Sequence, residues 1–249
     1  MIKKFVLYLL IVPVIVIAGC ISANKTNVNT EDPEKAYQTA KKSYDDKDYL
    51  QAIEDFSFIK IKFSGSSVSD KSQYYLGMSY YKRGDYILAA YEFENMIRNF
   101  TSSEFYPDAR FNLAMCYYEL SPDYDLDQTY TRYAITEFQN FMVLFPKHKD
   151  AELASIKIKE LRNKLAFKEI KSADLYMTME DYRAALVYYD IVLKDYFDTD
   201  YVDNAAYGRI NALLAKKKYS EAKDEMDKFV AKYKESEFYN SVVNLRKKY

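Results

Sequence analysis

The sequence predicts an all-α fold, an α-solenoid of about five stacked helical hairpins, on three observations. One mark recurs along the chain: an alanine, an aromatic residue four positions on, and another aromatic seven beyond that. It reads Ala52/Phe56/Phe63, Ala89/Phe93/Phe100, Ala134/Phe138/Phe145 and Ala185/Tyr189/Tyr196, with a fifth copy, Ala222/Met226/Tyr233, in which methionine replaces one aromatic. Offsets of four and seven place all three side chains on one helix face, where the alanine lets a neighbouring backbone come close and the aromatics fill the groove beside it. The second observation is that only 5 Gly and 5 Pro occur in 249 residues, too few breakers for a sandwich or a loop-rich fold. The third is the balance of 49% hydrophobic and 29% charged residues, that of a globular chain and not a disordered one.

The first element in chain order is an address. Lys3 and Lys4 precede an apolar run over residues 5–18, interrupted only by Pro13. As a helix this run reaches about 21 Å, short of the roughly 30 Å of a bilayer's hydrocarbon core, so it reads as a signal peptide, residues 1–19. Ile17-Ala18-Gly19-Cys20 resembles the lipobox of bacterial lipoproteins, with Cys20 as the lipid acceptor and the first residue after cleavage. Several acyl chains on one cysteine anchor stably where one chain is marginal. Ile21 stands where an aspartate would retain an enterobacterial lipoprotein at the inner membrane, which favours the outer membrane. Residues 20–33 read as a flexible tether, and the stretch 22–29 lacks the acidic cluster that marks surface-exposed lipoproteins in some phyla. The expected location is therefore the periplasmic face of the outer membrane.

The hairpins follow. A tyrosine three residues before the alanine closes a turn in four copies: Asp48-Tyr49, Gly84-Asp85-Tyr86, Asp181-Tyr182 and Lys218-Tyr219. Another helix precedes each turn, most clearly the stretch around Leu76-Gly77 and Tyr80 that ends at Gly84. This unit resembles the tetratricopeptide repeat, with Ala89 as the small residue of the second helix. The third copy has Leu113-Ala114 and Tyr117 and ends in Phe145-Pro146. Spacings of 37, 45, 51 and 37 between the alanines imply an insertion around 121–131 and an extra or lengthened helix over 151–165. One hairpin cannot bury its own apolar face, whereas five stacked hairpins build a continuous core and a curved groove.

In tetratricopeptide stacks the first helix of each hairpin lines the concave side. Counting back from each turn, the inward positions are Tyr37 and Tyr44, Tyr74 and Tyr81, and Phe111 and Tyr118. Each pair is seven apart and shares a face. An aromatic ladder of this kind suits an extended peptide ending in an aromatic residue, through apolar contact and hydroxyl hydrogen bonds. Residues 34–147, carrying the ladder, are the expected substrate half, and residues 148–249 the docking half.

Other chemistry is missing from the sequence. Lys+Arg 36 against Asp+Glu 37 leaves no basic field for nucleic acid. No phosphate loop, metal-spaced Cys/His cluster or catalytic constellation occurs, so neither enzyme activity nor a cofactor or metal is expected. Asp123, Asp125 and Asp127 mimic the start of a calcium loop, but Gln128 and Ala134 stand where such a loop needs Gly and Glu. His148 is expected in an exposed loop. Cys116, the one cysteine left beside Cys20, is expected as a small buried hydrophobe.

Lipobox, five hairpins and length together resemble the BamD (YfiO) family, lipoproteins of the outer-membrane β-barrel assembly machine. The resemblance is sharpest at Asp127-Gln128-Thr129, at residues 161–166 with Glu169 and Ala173, and at Tyr182-Arg183-Ala184-Ala185. The family usually closes each hairpin with aromatic-Pro, and here only Phe145-Pro146 keeps the proline. The resemblance implies a scaffold in barrel assembly. Its amino-terminal half would engage the carboxy-terminal signal of nascent outer-membrane β-barrel proteins, and its carboxy-terminal half the periplasmic domains of a BamA-like insertase, with accessory lipoproteins as further partners. Other readings are a Tol-system coordinator, which carries a coiled coil absent here, a pilotin-like lipoprotein, also helical and lipidated, which the long helix at Leu161 and the five hairpins disfavour, and a sugar-uptake lipoprotein, which is longer and favours the Trp this chain lacks.

Overall fold

The computed structural model describes residues 26–249, and the predicted lipidation site Cys20 and signal peptide lie outside them. The described residues form eleven α-helices and no strand. Five are the first helices of hairpins: α1 (Pro33–Asp45), α3 (Ser69–Arg83), α5 (Tyr106–Glu119), α7 (Ala151–Thr178) and α9 (Val202–Ala215). Their partners are α2 (Tyr49–Lys62), α4 (Tyr86–Asn99), α6 (Thr129–Leu144), α8 (Tyr182–Asp195) and α10 (Tyr219–Lys232), and α11 (Tyr239–Lys248) closes the stack. Every helix packs on its chain neighbours. Successive first helices also approach one another, whereas successive second helices do so less. The stack therefore curves with its first helices inside, and the expected all-α tetratricopeptide solenoid is what the chain forms. No helix among the described residues is long and apolar enough to cross a membrane.

The recurring mark has two structural jobs. Its alanine is fully buried in all five hairpins, and its middle residue (Phe56, Phe93, Phe138, Tyr189 or Met226) fills the core beside it. Its third residue (Phe63, Phe100, Phe145, Tyr196 or Tyr233) is the C-cap of the second helix. The carbonyl of that residue accepts from the backbone N–H three positions on, at Ser66, Ser103, His148, Thr199 and Ser236. The mark thus packs the hairpin and also ends it.

The tight turns inside hairpins share one geometry. In each, the residue entering the second helix donates its N–H to a carbonyl five positions back: Asp48 to Ser43, Asp85 to Tyr80, Asp181 to Tyr176 and Lys218 to Leu213. This closure needs one left-handed residue, which is Lys47, Gly84, Glu180 or Lys217. Only the second hairpin uses glycine there. The others accept a cost of about 1 kcal/mol for a side chain at positive φ.

The structure differs from the sequence expectations in three places. The lengthened helix does not stop near residue 165: α7 continues to Thr178. Leu161 and Leu165 pack in the core of the third hairpin, and Ala166, Ile170 and Ala173 in that of the fourth. Packing is therefore continuous across residues 147 and 148. The tether, expected to be flexible over 20–33, is ordered from Thr26, with Val28 in the core of the first hairpin and Pro33 starting α1. His148 is half-buried, edge-on to Phe141 at 5.2 Å. Its Nδ1 accepts from the Asp150 N–H, as the hydroxyls of Ser66, Ser103 and Ser236 accept from Val68, Phe105 and Phe238 in the equivalent turns. The histidine is a turn residue standing in a serine's place.

Candidate peptide-binding face

The inner face is built from the first helices, and its rungs are fixed by where each helix ends. Counting back three and ten positions from the turn residues Lys47, Gly84 and Ser121 gives Tyr44/Tyr37, Tyr81/Tyr74 and Tyr118/Phe111. All six lie on α1, α3 and α5, and they do not form a free-standing row. Tyr37 and Phe111 are each 8% exposed. Tyr37 packs on Phe56 and Tyr75 at 6.1 and 6.2 Å, and Phe111 on Phe138 and Phe141 at 5.8 and 5.4 Å. These two belong to the core and support the face from behind.

The other four are half-buried and span from one first helix to the next. The ring of Tyr44 meets Tyr75 of α3 edge-on at 5.1 Å. Tyr74 stacks on Phe105 at 4.8 Å, and its hydroxyl accepts from Asn112 Nδ2 of α5 at 3.3 Å. Tyr81 donates to Glu119 of α5 at 3.4 Å. Tyr118 donates to Glu160 of α7 at 2.7 Å, and Lys157 Nζ sits 4.3 Å from its ring centroid while donating to its hydroxyl at 3.0 Å. Each rung thus offers an apolar ring surface beside a polar group on the next helix. Burial raises the hydroxyl pKa of Tyr37, Tyr74 and Tyr81, and that of Tyr44 to about 12. These four hydroxyls are neutral at physiological pH.

Five contributors were not evident from the heptad pairs. Tyr75, adjacent in sequence to a chosen rung, contacts Tyr37, Tyr44, Phe56 and Tyr74 and is the densest aromatic junction of the face. Lys41 and Lys71 lie over the rings of Tyr75 and Tyr37, at 4.9 and 4.3 Å. Lys157 and Glu160 carry the row onto α7. The only sequence signal for these was the local density of tyrosine and lysine.

The remaining candidates resolve into structure. Cys116 is buried, and desolvation raises its thiol pKa. The acidic loop 121–128 is held by cations: Lys164 donates to the Ser121 hydroxyl and the Pro122 carbonyl, and Lys168 to the Leu126 carbonyl. Gln128 donates to the Asp123 and Leu126 carbonyls. The carbonyls of Pro122, Asp123 and Leu126 thus accept from side chains, and Tyr124 packs edge-on against Phe167, which folds the insertion onto α7. Among the described residues, Asp108, His148 and Asp150 gather metal-ligand types within 4.8 Å of one another. There His148 performs the turn hydrogen bond given above, and Lys149 pairs with Asp108 at 3.3 Å.

The YfiO family, described as outer membrane lipoprotein, matches residues 29–215. A tetratricopeptide repeat protein from Parabacteroides merdae superposes with a TM-score of 0.40 at 14% identity, over 79% of this chain and 78% of that one. The TPR2AB domain of yeast Sti1, in complex with pHSP90, superposes with a TM-score of 0.43 at 14% identity, over 81% of this chain and 77% of that one. No curated protein matches the sequence.

Proposed function

The chain belongs to the YfiO family of outer membrane lipoproteins, and on that premise we propose that it is an adaptor in the assembly of outer-membrane β-barrel proteins. It is held by lipid on Cys20 at the periplasmic face. The inner face of α1, α3 and α5 receives the extended carboxy-terminal segment of an unfolded barrel protein, and α7 to α11 dock on the periplasmic domains of a BamA-like insertase. The observation that carries this reading is the change of side-chain type along one register. Three and ten positions before the turn, the first three hairpins carry the aromatic rungs, whereas α7 carries Met177 and Ile170, and α9 carries Leu214 and Tyr207. The aromatic supply for a peptide with an aromatic end is therefore concentrated in residues 34–147. Tyrosine suits that role, because it brings a large apolar area, one hydrogen bond and little rotamer freedom to lose.

The experiment is affinity purification of the full chain from its native membrane, with identification of what accompanies it. A barrel protein with several periplasmic domains, in near-equal amount, is the expected result. Recovery of pilus, secretin or Tol components without such an insertase would overturn the assembly role.

A further inference from the structure

We propose that Asp55 clamps the chain upstream of α1 and so holds the first hairpin close to the lipid surface. The proposal rests on the reading of Cys20 as the lipidated residue. Asp55 lies on α2 and is 0% exposed. Its carboxylate accepts four hydrogen bonds. Two come from within the hairpin, from the Ser43 hydroxyl at 2.9 Å and Gln51 Nε2 at 3.0 Å. Two come from the upstream segment, from the Thr26 hydroxyl and the Asn27 N–H, both at 2.7 Å. A carboxylate out of contact with water is costly unless its acceptor sites are filled, and this segment supplies half of its donors.

The same segment is held at two further points. Val28 is buried in the core of the first hairpin. Lys62 donates to the Thr30 carbonyl at 3.4 Å and to the Glu31 carboxylate at 2.8 Å. The chain therefore runs along α2 from the level of Asp55 to that of Lys62, and Asp32 then caps α1. Covalent reach gives this geometry its consequence. Six residues from Cys20 to Thr26 span at most about 20 Å, whereas the thirteen from Cys20 to Pro33 would span about 45 Å if they were free. The clamp halves the leash. The α1–α2 end of the solenoid is the membrane-near end, and the face built by α1, α3 and α5 begins there.

The test uses the full acylated chain in vesicles of phosphatidylethanolamine and phosphatidylglycerol bearing headgroup acceptors. A donor is placed at Ile61→Cys, beside the clamp, or at Lys234→Cys, at the far end. Cys116 is buried with its thiol pKa raised and does not label. Energy transfer is expected to be stronger from position 61 than from 234, and to fall at least twofold in the Thr26→Val/Val28→Asp chain. That chain frees the segment at Thr26 and Val28, lengthening the leash toward the Lys62 contacts, and leaves Asp55 its bonds to Ser43 and Gln51, so it answers even if Asp55→Asn fails to fold. Equal transfer from both positions, or transfer unchanged on release, overturns the clamp. The mass of the amino-terminal peptide separates the two readings. An acylated Cys20 with unchanged transfer sinks the clamp alone, and an unacylated Cys20 sinks the lipoprotein reading with it.

Discussion

The inner face is held together differently in its two halves. From α1 to α5 successive first helices are bridged mainly by rings, Tyr44 on Tyr75, Tyr74 on Phe105 and Tyr81 reaching Glu119, beside one ion pair of Lys71 with Glu34. From α7 onward charged side chains make the ties. Arg162 takes both oxygens of Asp198 and the Asp195 carbonyl. Lys159 and Asn163 both hold Asp200, and behind the face Arg209 of α9 joins Asp190 of α8 and Glu225 of α10. The one ladder position beyond α5 that is aromatic, Tyr207, stacks on Phe238 at 4.5 Å as Tyr74 stacks on Phe105. A face bridged by rings leaves ring surface for a peptide, while a face bridged by ion pairs presents a polar, defined outline suited to a folded partner. On the proposed function, the same repeat would serve two kinds of contact by changing what stands at equivalent positions.

The core should separate the two halves most strongly. Phe93→Ala removes a fully buried ring in the second hairpin and is expected to cost about 3–5 kcal/mol. Because each repeat contacts only its neighbours, hydrogen exchange should show lost protection in α3 to α5 while α9 to α11 stay protected. A uniform loss would show that the halves are not separable.

Glycine sharpens the comparison next. A Cβ on Gly208 would overlap the Tyr189 ring, and one on Gly77 would lie 2.8 Å from Phe93. Gly208→Ala should destabilise by about 1–3 kcal/mol and Gly77→Ala by less, as thermal unfolding would show. Both glycines let a first helix close on a large ring, in the fourth and second hairpins respectively.

The halves should also separate in alkali. Burial raises the pKa of Tyr37, Tyr44, Tyr74, Tyr81 and Tyr117 in the first three hairpins, and chiefly of Tyr189 in the rest. A hydroxyl with a folded pKa above its unfolded value near 10 adds stability that is complete below pH 10. That stability is lost as pH rises through the folded value, about 12 for Tyr44. Helical circular dichroism followed with tyrosinate absorbance should therefore fall between pH 10 and 12, and Tyr37→Phe/Tyr74→Phe should blunt that fall.

The smallest effect concerns the ion pairs. Asp198 is about half exposed, so Arg162→Ala should cost only about 1 kcal/mol, and less at high salt. Urea titrations at two ionic strengths would check this. A salt-independent loss of several kcal/mol would mean that the tie is structural core.

Much of the fold was legible because it is periodic. An alanine with a ring four residues on is a local signal, and its burial in all five hairpins follows from it. The turn residue Gly84 was equally plain. Less plain was that Lys47, Glu180 and Lys217 adopt the same left-handed backbone, since only the repeat's closure forces them there. The role of His148 was written in the register, as Ser66, Ser103, Thr199 and Ser236 each stand three residues after the capping aromatic. Asp55 was not legible. It reads as a polar position of an amphipathic helix, and what buries it is a segment 28 residues upstream. The ladder was half legible. Heptad spacing placed six residues on one face, but a single face cannot say which side chains the next hairpin covers. That is why Tyr37 and Phe111 lie in the core while Tyr75 joins the face.

The central claim is that the first three hairpins bind an extended peptide through half-exposed rungs. The direct measurement is the affinity of the chain for a peptide copying the carboxy-terminal strand of an outer-membrane barrel, aromatic end included, followed by fluorescence anisotropy. Tyr74→Ala/Tyr81→Ala is compared with Ile170→Ala/Met177→Ala at the same register of α7. Losing two ring contacts of about 1–2 kcal/mol each predicts at least tenfold weaker binding for the first pair. The second pair should bind as the unaltered chain does, provided both variants keep their helical signal. Equal affinity in both variants, or a loss confined to the second, would contradict the account.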